Sequence, residues 1–116
     1  MIPPTLIKKM VVVEYEQEDG TRPFSRWFSA LDVQVALKIR TVIGRLENGN
    51  FSNVKGVGQG VSEYKLDYGA GHRVYFGKDG TELVILLGGG TKKRQSGDIK
   101  KAQELWVTYK ARKRKG

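Results

Sequence analysis

Five cations in the second half of the chain stand out by position: Lys65, Arg73, Lys92, Lys93 and Arg94. Lys65 falls in the alternating run Tyr64-Lys65-Leu66-Asp67-Tyr68, and Arg73 in Gly71-His72-Arg73-Val74-Tyr75-Phe76. The last three follow the apolar run Leu83-Val84-Ile85-Leu86-Leu87 and the turn-like Gly88-Gly89-Gly90-Thr91. If these runs are neighbouring strands, alternation puts Lys65 and Arg73 on one exposed face and brings Lys92–Arg94 to the strand end beside them. Arginine grips a phosphate with a planar fork, and lysine supplies a mobile point charge. Tyr75, on the same side as Arg73, offers a ring for stacking or a hydroxyl. Lys55 adds a cation within the glycine-rich stretch Phe51–Gly60. Such a set suits a phosphate backbone; the competing reading is a solvated face of a basic protein.

Other candidates carry less. His72, the single histidine, has the type for proton transfer or RNA contact, but alternation places it with Val74 and Phe76 toward the core. Gly88-Gly89-Gly90-Thr91-Lys92 lacks the spacing of a phosphate-binding P-loop, and Gly56-Val57-Gly58-Gln59-Gly60 lacks the strand–turn–helix setting of a dinucleotide fingerprint. Glu63 and Asp67 flank Lys65 on one strand face, which fits charge pairing better than carboxylate catalysis. With no cysteine and one histidine, neither a metal site nor a cofactor is expected.

These residues need a frame to hold them. The 116 residues support a single domain, with a core from about residue 10 to 106 and a basic tail from about 110 to 116. Residues 1–50 carry seven Lys/Arg against six Asp/Glu; residues 51–116 carry fourteen against six. The excess of positive charge therefore lies in the half that holds the candidate site and points to a polyanionic partner. No run is apolar enough to span a membrane, Met1–Lys9 reads as a short arm without a secretory apolar core, and a cytoplasmic location is expected.

Met10–Glu16 reads as a strand. Pro23 suits a helix start, and Phe24, Trp27, Phe28 and Leu31 form one helical stripe. Asp32 is placed to cap a second helix whose buried side is Val35, Ile39, Val42, Ile43 and Leu46, with Asn48-Gly49 as its stop. Phe51–Gly60 reads as a loop. Three strands in a meander follow, and then a last helix capped by Asp98. The expected fold is α+β: an N-terminal strand and helical hairpin packed on one face of a small antiparallel sheet (β-α-α-β-β-β), with a C-terminal helix.

Taken together, Arg45–Asn50, Val54–Gly58, Val61–Gly69, Gly71–Phe76 and Leu86–Lys93 resemble the RelE/ParE superfamily, and within it the HigB-like addiction module killer branch. The likeness runs from about Met10 to Trp106. It implies the RelE-like fold, a toxin neutralised by a cognate antitoxin of helix-turn-helix type, and cleavage of mRNA on the ribosome. The attacking group would be the RNA's own 2′-hydroxyl. By this resemblance Arg73 would bind the scissile phosphate, and Lys65 would contact RNA or assist catalysis. Lys92 and Lys93 would stabilise transition-state charge or protonate the leaving group. Lys55, His72, Tyr75 and Arg94 are the accompanying RNA-binding candidates. Asp67 stands where ribonuclease members often carry a second lysine, and Ile99 near a position where some place a tyrosine. A gyrase-poisoning toxin of the ParE kind and a non-catalytic binding module are the alternatives on the same fold.

Overall fold

The computed structural model describes residues 9–115. The arm expected at Met1–Lys9 lies, apart from Lys9, outside the described residues, as does Gly116. Five strands form one sheet: β1 (Val11–Glu14), β2 (Val54–Gly58), β3 (Val61–Leu66), β4 (His72–Asp79) and β5 (Leu83–Thr91), in the spatial order β1-β5-β4-β3-β2. The helices are α1 (Pro23–Ser29), α2 (Val33–Glu47) and α3 (Gln95–Lys115), and a single 3-10 turn, Lys92–Arg94, joins β5 to α3. The fold is α+β, as the pattern of elements implied.

β2 to β5 are antiparallel neighbours, while β1 adds to the outer side of β5 in parallel, so the sheet is mixed. A parallel neighbour needs a long crossover, and the α1–α2 hairpin is part of it. Pro23 opens α1, and the Asp32 carboxylate caps α2 by accepting from the Val35 N–H at 3.1 Å. Gly49, at φ 73°, lets the chain turn out of α2. The buried side of α2 (Val35, Ile39, Val42 and Leu46) packs with Phe24, Tyr64, Val74, Phe76, Val84 and Leu86 in one core layer.

Three expectations are corrected. The stretch Phe51–Gly60 is not a loop throughout, because Val54–Gly58 is an edge strand paired with β3. The helices do not all lie on one face: α3 covers the opposite side, where Ala102, Leu105 and Trp106 pack with Val61, Tyr75, Ile85 and Leu87 in a second core layer. The basic terminus is not a free tail, since α3 continues to Lys115, with Lys113 bound to Asp79 at 2.5 Å and Arg112 to the Glu16 carbonyl at 3.1 Å. Asp98 sits in the first turn of α3 rather than at its cap.

Glycines fix how closely the layers approach. A β-carbon on Gly77 would stand 2.5 Å from the Trp106 ring, and one on Gly89 would stand 2.4 Å from the Trp27 ring. Between Tyr75 and Phe76 the β4–β5 register slips, with Tyr75 opposite Gly88 and Phe76 opposite Leu86. Leu87 is thus the extra residue of a bulge, and strand parity inverts beyond it. As a result Gly88 and Gly90 share the α3 side with Ile85 and Leu87, while Gly89 turns toward α1.

Candidate phosphate-binding face

Side chains on the α3 side of the sheet form two cross-strand rows. In one, Lys55, Glu63, Tyr75 and Gly88 are successive register partners; in the other, Lys65, Arg73 and Gly90 are. The sequence correctly placed Lys65 and Arg73 on a common face, and the register makes them direct neighbours.

Their exposure differs sharply. Lys65 is open to solvent, whereas Arg73 is only 4% exposed, contrary to the exposed position expected for it. Arg73 donates through Nη1 to the Gly71 carbonyl at 2.7 Å, and its Nε lies 3.9 Å from Oε1 of Glu63. Glu63 is completely buried. Gln95 of α3 donates to its Oε1 at 2.7 Å, and the Lys55 ammonium stands 3.8 Å from its Oε2. The carboxylate thereby takes the place of water around Arg73, which would be costly to bury without an opposite charge. Asp67, two positions along, instead pairs with Lys65 at 3.6 Å on the surface.

Lys65, Arg73 and Lys92 line one cavity of about 300 Å³ whose other walls are Asp67, Tyr68 and the turn Gly69-Ala70-Gly71. The Lys92 N–H donates to the Gly71 carbonyl at 2.8 Å, which ties the end of β5 to the β3–β4 turn. Three of the four cations expected to act on a phosphate therefore meet in one recess. The fourth, Lys93, lies exposed on the 3-10 turn beside Arg94 and does not line it.

The remaining expected residues are placed less simply. His72 is buried toward the core side, as its alternation implied, with Nδ1 3.2 Å from the Tyr68 carbonyl oxygen. Tyr75, expected to offer a stacking surface, is 1% exposed and covered by the α3 layer. Its burial, and then the Glu63 carboxylate, raise its phenol above the ordinary value, so it stays protonated at neutral pH. Oε2 of Glu63, Nε of Arg73 and the Tyr75 hydroxyl make no hydrogen bond among the described residues.

Glu63 and Gln95 were missed as members of the site. The available signal was Glu63 two residues before Lys65 on the same strand face; reading it as a surface pair overlooked that a last helix would cover that face. No group of three or more His, Cys, Asp or Glu side chains able to hold a metal occurs among the described residues. No helix among them is long and apolar enough to cross a membrane.

The fold and site together define a small α+β domain with a helix hairpin on one sheet face, a single long helix on the other, and a cation-lined recess at the β3–β4 turn. An uncharacterized protein of Haemophilus influenzae is 43% identical over 86 residues, covering 73% of this chain and 87% of that protein, and the chain belongs to the same family. No protein-family profile and no solved structure matches the chain.

Proposed function

We propose that the chain is the toxin of a type II toxin–antitoxin pair, an endoribonuclease that cuts mRNA on the ribosome in the cytoplasm. The observation that carries this reading is the convergence of Lys65, Arg73 and Lys92 on one recess. It is strengthened by the resemblance of the surrounding segments to HigB-like members of the RelE/ParE superfamily. The cation set suits a phosphorane-like transition state, where negative charge grows on the non-bridging oxygens.

In this mechanism the 2′-hydroxyl of the substrate attacks the adjacent phosphorus. The 2′-O–P bond forms, the 5′-O–P bond breaks, and the products are a 2′,3′-cyclic phosphate and a 5′-hydroxyl. Arg73, held by Glu63 and Gly71, is a preorganised partner for the phosphate, since its guanidinium is already oriented. Lys65 and Lys92 bring mobile ammonium groups, and a lysine ammonium can return a proton to the departing 5′ oxygen. The cognate antitoxin, a helix-turn-helix protein by the resemblance, would neutralise this activity.

A second reading, a binding module on the same fold, is favoured by the engagement of Arg73 with Glu63 and of Lys65 with Asp67. Induced expression in a bacterial host with 5′-end mapping of cellular mRNA separates the two. Lys65→Ala and Lys92→Ala are suitable controls, because both side chains are exposed and can be removed without opening the core. In-frame cuts lost in these variants would support the nuclease. Growth arrest with intact mRNA and accumulated DNA breaks would replace it with a gyrase-directed toxin. The absence of arrest would leave the binding module.

A further inference from the structure

A second, smaller cavity of about 160 Å³ lies beside the cation-lined recess, at the outer edge of β5 between α1 and α3. β1 stops pairing at Leu86, so the edge of β5 at Gly88 and Gly89 has no strand partner among the described residues. Trp27 forms one wall and Asp98 another, with Lys101 at the rim and Tyr75 below. Tyr75 is a buried side chain whose hydroxyl has no hydrogen-bond partner. Asp98 makes no side-chain hydrogen bond among the described residues, although it is only half exposed. Its carboxylate is packed against the backbone of Gly90, where an added β-carbon would collide with it at 1.9 Å. A methyl built on Gly88, by contrast, meets nothing within 4 Å, so the space above this glycine is open.

We infer that this cavity binds one unstacked guanine base of a single-stranded RNA. The inference rests on the RNA-cleaving reading above and deepens it by naming a base. A carboxylate has two acceptor oxygens side by side. Among the four RNA bases only guanine presents two adjacent N–H donors, N1 and N2, on its Watson–Crick edge. The neighbouring guanine O6 is an acceptor, which suits a phenol that has no partner of its own. The Trp27 ring supplies an aromatic wall of the kind on which proteins stack splayed bases. The spacing is consistent with a nucleotide. Tyr75 and Arg73 are two positions apart on one face of β4, about 7 Å by strand geometry, comparable to the separation of a base from its own phosphate. The phosphate would lie at Arg73 while the base enters the cavity at Tyr75.

The test is calorimetric titration of the full chain with the four ribonucleoside 5′-monophosphates. Guanosine monophosphate should bind on the order of tenfold or more tighter than the other three, the usual discrimination of one good bidentate pair. Asp98→Asn keeps the size of the side chain but turns one acceptor into a donor, so it should abolish the guanine preference and move it toward adenosine monophosphate, which pairs an acceptor with a donor. Equal or undetectable binding of all four to the wild type overturns the proposal, as does a guanine preference that survives Asp98→Asn. A guanine preference with no cleavage on ribosomes would leave the pocket standing and remove the nuclease. Cleavage without nucleotide preference would do the reverse.

Discussion

Glu63→Gln is the substitution whose effect follows most directly from the geometry. It keeps the shape of the side chain and the capacity to accept from Gln95, but it removes the only carboxylate within 4 Å of the buried Arg73 guanidinium. Removing one partner of a buried ion pair typically costs about 3–5 kcal/mol. Two features place this case at the lower end. The Arg73–Glu63 separation is 3.9 Å, and Arg73 keeps its 2.7 Å bond to Gly71. Lys55 adds little, because its side chain is 66% exposed and such pairs are worth at most about 1 kcal/mol. The expected loss is therefore about 3 kcal/mol, or a fall in melting temperature of roughly 10–15 °C for a domain of this length. Urea unfolding followed by circular dichroism reads it directly. Adding Arg73→Met, which discharges the other side of the pair, should restore most of the loss, with a coupling of about 2 kcal/mol. The reasoning fails if Glu63→Gln lies within about 0.5 kcal/mol of the wild type, or if the two single effects simply add.

Gly77→Ala should destabilise by about 1–3 kcal/mol through overpacking against Trp106, and Trp106→Leu in the same chain should relieve part of that cost, both measured by urea midpoint. Lys113 and then Tyr109 hold the Asp79 carboxyl below its ordinary value of 3.8. A depressed carboxyl contributes stability that is present above its unfolded value and is lost as pH falls through the native one; melting curves between about pH 5 and pH 2 should therefore be flatter in Asp79→Asn than in the wild type. Lys65→Ala and Lys92→Ala should each weaken RNA binding uniformly across sequences and reduce the salt slope by about one, measured by filter binding over a salt series.

Most of the frame was legible because its signals are local. The Asp32 cap, the apolar side of α2 and the alternation of β3 and β4 all depend on neighbours in sequence, and all are found in the structure. β2 was not legible: Gly56, Gly58 and Gly60 erase the side-chain pattern of a strand, and only backbone pairing with β3 makes Val54–Gly58 one. The weakness of α3 as a signal explains the larger miss. Its polar and charged residues extend nearly all round the helix, so nothing local says that Trp106 and Leu105 will cover the second face of the sheet. From that followed the exposed position assigned to Arg73 and the surface role assigned to Glu63. Alternation tells which residues share a face; it does not tell whether another element will lie on it.

The parallel pairing of β1 has a consequence for the order in which the protein can be made. Val11–Glu14 leaves the synthesising ribosome early, but its only strand partner among the described residues, Leu83–Leu86, follows 72 residues behind. At ordinary elongation rates of about 5–20 residues per second, that is a wait of roughly 4–14 s with a β-branched segment unpaired. Arg73 likewise gains its neighbour Gly90, and its recess gains Lys92, only when most of the chain has been translated. The newborn chain therefore carries an unfinished sheet and an unassembled phosphate site through most of its own synthesis, and both are completed at nearly the same moment.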